Sequence, residues 1–194
     1  MISDKRASGE DAILTLPNLI TLTRLALLPV ALYLAVTLKD YIFAAALLAF
    51  IGTTDFIDGY VARRLNQVSE LGKIMDPSVD RIVILALGIT AVVSRWIPLE
   101  LGVMILIREG FISGVSAYLF KVKHRRLDVI WFGKAGTLVL LVALPIVVLA
   151  QQHHPNLGLL HPIGLGLAWF GTVVLYLAAI IYIKKDLIPA ILSR

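Results

Sequence analysis

Residues 55–80 read DFIDGYVARRLNQVSELGKIMDPSVD, and the four aspartates at 55, 58, 76 and 80 stand where one strongly hydrophobic segment ends and another begins. An apolar run enters this stretch, a charged turn follows, and a second apolar run leaves it. That is the pattern of a helical hairpin at a membrane surface. A carboxylate in or beside a bilayer is costly and rarely kept without a partner. Four of them in one hairpin require something strongly positive between them, and divalent metal ions are the natural candidate.

The rest of the chain supports this setting. At 194 residues, 59% of them hydrophobic, and with a mean hydropathy of +0.89, the chain is too apolar for an ordinary soluble domain and too short for more than one domain. Apolar spans are expected near residues 18–37, 41–62, 77–94, 97–120, 135–152 and 161–183, each close to the roughly 20 residues that a spanning helix needs. The expected fold is an all-α integral membrane protein, a six-transmembrane-helix bundle forming a single domain over residues 1–194. Residues 1–16 form an N-terminal surface segment, in which AILTL suits a short interfacial helix. No small-residue cleavage pattern follows the first span, so no cleaved signal peptide is expected. Pro29 and Pro145 fall inside spans and should kink or locally open them. Pro77 suits a first helical turn, so the third span is expected to start at about Asp76. Trp96 and Trp131 lie near span ends, where an indole anchors to the interface.

Charge sets the orientation. Lys5, Arg6, Arg63, Arg64, Lys73, Lys121, Lys123, Arg125, Arg126, Lys134, Lys184, Lys185 and Arg194 all fall on one side of the six-span arrangement, against Lys39 and Arg95 on the other. By the positive-inside rule both termini and the aspartate hairpin are cytoplasmic. The net charge of +5 thus serves topology and attraction to anionic headgroups, and nucleic acid is not an expected partner. The absence of cysteine leaves no disulfide framework, thiolate metal site or cysteine nucleophile.

Asp55 and Asp58 are three residues apart and Asp76 and Asp80 four, so each pair projects from one side of its own helix. Gly59 and Ala62 extend the first stripe and leave room beside the carboxylates. Antiparallel packing of the second and third spans would bring the pairs face to face. Carboxylate oxygens suit hard cations, magnesium or manganese above all. Four of them can hold two ions about 3.5–4 Å apart, the arrangement that stabilises attacking and leaving oxygens in phosphoryl transfer. Capping by Asp76, ion pairs with Arg63, Arg64 or Arg81, and solvation are the competing readings for any one carboxylate. None of these explains all four at this spacing.

The run Asp55-x2-Asp58-Gly59-x2-Ala62-Arg63-x8-Gly72-x3-Asp76-x3-Asp80 resembles the full signature of the CDP-alcohol phosphatidyltransferases, with no position missing. LPNLITLTRLALLP at the start of the first span resembles the opening of the phosphatidylglycerophosphate synthase and cardiolipin synthase branch. The resemblance implies transfer of a phosphatidyl group from CDP-diacylglycerol to an alcohol, with release of CMP and inversion at phosphorus by direct attack. It implies that Asp55, Asp58, Asp76 and Asp80 bind two Mg2+ or Mn2+ ions, and that Asp80 is the catalytic base toward the acceptor hydroxyl. Asp55, Gly59, Ala62, Arg63 and Gly72 would bind the CDP group. It further implies a homodimer, in a bacterial plasma membrane with the site facing the cytoplasm.

For the acceptor the candidate anion contacts are Arg24, Arg108 and Lys134, although Glu109 beside Arg108 also permits a structural ion pair, and Lys134 suits a snorkelling lysine. Arg108-Glu109 with Gly133-Lys134-x-x-Thr137 resembles elements of phosphatidylglycerophosphate synthases, which use glycerol 3-phosphate. Where those enzymes carry a second lysine this chain has Gly136. Cardiolipin synthases of the family also lack that lysine, and their acceptor is phosphatidylglycerol. Glycerol 3-phosphate is the favoured expectation, with phosphatidylglycerol the alternative and inositol or inositol phosphate more distant; a lysine restored at Gly136 would then improve use of glycerol 3-phosphate. A cation transporter is the reading from another class, and one-sided acids without an internal repeat argue against it. Gly110-x3-Gly114 suits helix packing within the bundle or between two copies.

Overall fold

The computed structural model describes residues 16–64, 70–123, 130–152 and 157–189, in which every long element is helical. The order is α1 (Leu16–Tyr33), α2 (Tyr41–Arg64), α3 (Glu70–Val93), α4 (Leu99–Lys123), α5 (Trp131–Leu149) and α6 (Leu160–Tyr182). Single π-helical turns, Leu34–Leu38 and Ile183–Leu187, extend α1 and α6. Residues 1–15 of the N-terminal surface segment lie outside the described residues, as do residues 124–126 of the basic stretch that begins at Lys121.

Among the described residues, four stretches are long and apolar enough to cross a membrane: Asn18–Leu38, Leu99–Leu119, Trp131–Leu149 and Leu160–Lys185. In α2 only Tyr41–Thr54 is continuously apolar, because its second half carries the charges of the aspartate stretch. The surface has the inverted pattern of a protein solvated by lipid. Phe43 is 68% exposed, Ile107 61% and Phe170 61%, while Asn18, Thr21, Arg24, Arg108, Glu109 and Thr172 are buried. Water would penalise such apolar faces, whereas acyl chains do not. Threonines on these helices satisfy their hydroxyls internally, as Thr53 donates to the Ala49 carbonyl at 2.7 Å, Thr137 to Gly133 at 2.9 Å and Thr172 to Ala168 at 2.7 Å.

The described chain groups into two compact units, Met1–Ile84 and Leu85–Arg194. In the first, α1 packs on α2 through buried Leu28, Ala31, Ala35, Ala44 and Leu48. Lys39 takes a left-handed conformation (φ 55°) that ends the π-helical turn, and its N–H donates to the Leu34 carbonyl. Asp40 then caps α2, its Oδ1 accepting from the Phe43 N–H at 3.2 Å.

In the second unit α5 and α6 form the closest seam, built on small residues. A Cβ placed on Gly136 would lie 2.6 Å from Leu175 Cγ and 3.2 Å from the Gly171 carbonyl oxygen, and one on Gly164 would lie 2.9 Å from Val147 Cγ2. In lipid, where apolar side chains gain little by leaving their surroundings, helices associate by such close backbone approach. Tyr182, buried beside Ile112, Ala178 and Ala179, accepts the Ile130 N–H at 3.0 Å and so holds the start of α5. Pro145 lies buried within α5, which continues past it to Leu149.

Three boundary expectations need correction. The third helix begins at Glu70 rather than near Asp76, so Pro77 lies inside it and removes one internal hydrogen bond. α5 begins at Trp131 rather than 135, because Tyr182 and the Ile130 carbonyl, which accepts from the Gly133 N–H, organise its first turn. Trp96 is 6% exposed, and its carbonyl contacts His161 Nε2 at 3.1 Å. It is a packed loop residue and not an interfacial anchor. Trp131 is 73% exposed with an edge-on contact to Phe132, the exposure that an interfacial indole requires.

Candidate active site

α2 carries Asp55, Asp58, Gly59, Ala62 and Arg63, and α3 carries Gly72, Asp76 and Asp80. Each set recurs at three- or four-residue spacing, so both are aligned along their helices. The side chains of residues 55–64 and 70–77 lie outside the described ones, and so does the expected meeting of the two carboxylate pairs. Asp80 is described, and its surroundings are informative.

The Asp80 side chain is 25% exposed, and its Oδ1 lies 3.1 Å from Nη1 of Arg24, whose own side chain is 3% exposed. Arg24 comes from α1, on the stripe that also holds Asn18 and Thr21. These three residues, spaced three apart, are the buried polar face of that helix, while Leu19 and Leu22 beside them face outward. A guanidinium sealed in a membrane helix without a counter-charge would cost several kcal/mol, on the order of 3 or more, and Asp80 supplies that charge.

Arg108 and Glu109 are the second buried charge pair. Arg108 is 7% exposed and Glu109 2%, and Nη1 of the arginine donates to Oε1 of the glutamate. Arg108 Nε is buried with no hydrogen-bond partner among the described residues. Removing one member of such a pair leaves an uncompensated charge, so Glu109→Ala is expected to destabilise the protein by about 3–5 kcal/mol. Glu109→Gln, which keeps an acceptor oxygen, should cost less. Thermal unfolding of the two variants in detergent checks the order. Lys134, in the first turn of α5, is exposed.

Gly136 is buried in the α5–α6 seam, against Leu175 and the Gly171 backbone. The expectation that a lysine there would restore an anion contact is therefore overturned: the position faces a neighbouring helix, and the seam has no volume for even one methylene. The Gly110-x3-Gly114 stripe behaves in the opposite way. A Cβ on either glycine would meet nothing within 4 Å, and both line a groove of about 540 Å3 with Phe111, Val115, Tyr118 and Leu187. These glycines do not serve packing within the described bundle.

The sequence offers Arg24 as an acceptor contact, and Asn18 and Thr21 only as part of the run that resembles the branch opening. The three-residue spacing of Asn18, Thr21 and Arg24 on an otherwise apolar helix was the available signal. The Asp80 partnership, between residues 56 positions apart, had none.

Comparison with known sequences shows where this arrangement belongs. The sequence profile of the CDP-alcohol phosphatidyltransferases matches residues 14–184. The chain belongs to the CDP-alcohol phosphatidyltransferase family. A protein of Streptomyces coelicolor named "Cardiolipin synthase (CMP-forming)" is 31% identical over 180 residues, 90% of this chain and 84% of its own length. A human protein of the same name is 37% identical over 114 residues, 58% of this chain and 36% of its own length. This CDP-alcohol phosphatidyltransferase is thus a membrane-embedded transferase of phospholipid biosynthesis, similar to the cardiolipin synthase branch. Its family signature occupies α2 and the first half of α3.

Proposed function

We propose that this phosphatidyltransferase is a CMP-forming cardiolipin synthase, which moves the phosphatidyl group of CDP-diacylglycerol onto a hydroxyl of phosphatidylglycerol. The observation that carries this reading is the likeness to the Streptomyces coelicolor cardiolipin synthase over 90% of the chain. The seam at Gly136 supports it. Glycerol 3-phosphate, a small dianion, is served in related enzymes by a second lysine, and here that position is filled by helix packing. Phosphatidylglycerol is therefore the proposed acceptor in place of glycerol 3-phosphate.

In this reading the chain forms one membrane domain of six spans. α2 and α3 complete the four most apolar stretches, both termini lie in the cytoplasm, and the site opens to the cytoplasmic face of a bacterial plasma membrane. Asp55, Asp58, Asp76 and Asp80 hold two divalent cations, Mg2+ or Mn2+. Their chemistry fits, since all four offer hard oxygen donors, and Asp80 remains 25% exposed although its arginine partner is sealed in. Bound there, the ions neutralise the diphosphate of the donor and acidify the attacking hydroxyl. Asp55, Gly59, Ala62, Arg63 and Gly72 bind the CDP group, with Arg63 compensating phosphate charge. Lys134, exposed in the first turn of α5, remains as the anion contact for the acceptor, whereas Arg108 is buried and held by Glu109.

Chemically, Asp80 accepts the proton of the acceptor hydroxyl as that oxygen bonds to the phosphatidyl phosphorus. The bond from that phosphorus to the bridging oxygen breaks, and CMP carries the electron pair away. The acyl-bearing substrates reach the site laterally from the bilayer. A second copy of the chain is the proposed partner, and the open Gly110–Gly114 face offers it a surface.

The test is direct. Purified protein is given CDP-diacylglycerol, Mg2+ or Mn2+, and phosphatidylglycerol, glycerol 3-phosphate or inositol phosphate, and CMP release is measured. Phosphatidylglycerol is expected to support the fastest metal-dependent release. Faster release with glycerol 3-phosphate would overturn the acceptor assignment, and no release with any alcohol would overturn the enzyme assignment.

A further inference from the structure

We infer that Arg24 is a positioning residue for Asp80, through which α1 forms one wall of the active site, and that it is not an acceptor ligand. The inference rests on the reading of Asp80 as the catalytic base. Three observations carry it. The guanidinium Nη1 lies 3.1 Å from Asp80 Oδ1, so the contact is a direct charge-assisted hydrogen bond. The Arg24 side chain is 3% exposed while that of Asp80 is 25% exposed. The carboxylate is therefore the member of the pair that a substrate can reach, and the arginine stands behind it. Finally, Arg24 shares its buried stripe with Asn18 and Thr21, at 2% and 0% exposure, so this polar stripe of α1 is turned inward.

A carboxylate that accepts a proton from a bound hydroxyl must be held close to its productive geometry, because a misplacement of about 1 Å can cost on the order of 100-fold in rate. A free aspartate samples several rotamers. One tied to a buried guanidinium from another helix does not. Arginine suits this task better than lysine, since its planar fork loses less side-chain freedom for each hydrogen bond that it makes. An anion contact for the acceptor would need the reverse pattern, an accessible guanidinium with its donors turned to the substrate.

The experiment compares the wild-type enzyme with Arg24→Gln, Arg24→Lys, Asp80→Asn and the Arg24→Gln/Asp80→Asn double variant. CMP release is measured in detergent–lipid micelles over a range of CDP-diacylglycerol and phosphatidylglycerol concentrations. Arg24→Gln is expected to lower kcat about 100-fold, with KM for both substrates within about threefold of wild type. Arg24→Lys should recover part of kcat, and the double variant should turn over no more slowly than Asp80→Asn alone. A raised KM for phosphatidylglycerol with kcat recovered at saturation would make Arg24 an acceptor ligand and overturn the inference. So would full kcat per folded molecule in Arg24→Gln, or independent multiplication of the two losses in the double variant. Should Arg24→Gln fail to fold, Arg24→Lys carries the decision: wild-type kcat in that variant overturns the inference, and a lowered kcat with unchanged KM supports it. Full turnover of Asp80→Asn would instead overturn the reading of Asp80 as base, an outcome separate from the Arg24 results.

Discussion

Gly136→Lys is expected to remove most of the folded protein from membrane preparations without improving the use of glycerol 3-phosphate. The first added atom already lies 2.6 Å from Leu175 Cγ and 3.2 Å from the Gly171 carbonyl oxygen. Leu175 is 1% exposed, and the carbonyl belongs to the α6 backbone. Overpacking of this kind costs about 1–3 kcal/mol. An ammonium group forced into a helix seam adds up to about 2.5–3.5 kcal/mol, the insertion-scale figure for a helix centre. Against a total stability of about 5–15 kcal/mol, that sum is a large share. Gly136→Ala isolates the first term and should lower the thermal midpoint without abolishing the fold. Size-exclusion yield and thermal unfolding of the two variants measure the effect. A stable, well-folded lysine variant with faster glycerol 3-phosphate turnover would reject the seam argument and restore the other acceptor.

Asp80→Asn is expected to lower turnover by about 100- to 10,000-fold, the usual worth of a positioned general base, while sparing the fold and binding of CDP-diacylglycerol. The amide keeps the shape of the carboxylate and still presents an oxygen toward Arg24 Nη1, which lies 3.1 Å from the native Oδ1. Asp80→Ala removes that acceptor too, and with it the charge-assisted bond to the buried guanidinium. It should therefore be less stable than Asp80→Asn by about 1–3 kcal/mol, the cost of removing one partner from a buried hydrogen bond. Single-turnover CMP release gives the rate loss, and thermal unfolding gives the order of the two variants. Equal activity of wild type and Asp80→Asn would remove Asp80 from the chemistry.

The helices were legible because a membrane chain declares them through apolar length alone. The expected spans 18–37 and 41–62 fall on α1 and α2, and 161–183 falls on α6. Errors came where local signals compete. Pro77 suggested a helix start, yet α3 begins at Glu70, since a helix with enough neighbours tolerates one lost hydrogen bond. Trp96 suggested an interface, yet packing buries it, because an indole suits either setting.

What the sequence by itself determined is the membrane setting, the helical class and the enzyme family. The first two follow from hydropathy, and the third from eight signature residues whose spacing is local to two helices. The tertiary structure alone decided which side of each helix its remaining polar and small residues meet. It turned Arg24 from a candidate ligand into the partner of Asp80, bound Arg108 to Glu109, and showed the glycine at 136 as a contact of Leu175. Periodicity along a helix reports that two residues share a face. Which neighbour that face touches depends on how separate helices cross, and in this chain that is set by close contacts between residues far apart in sequence.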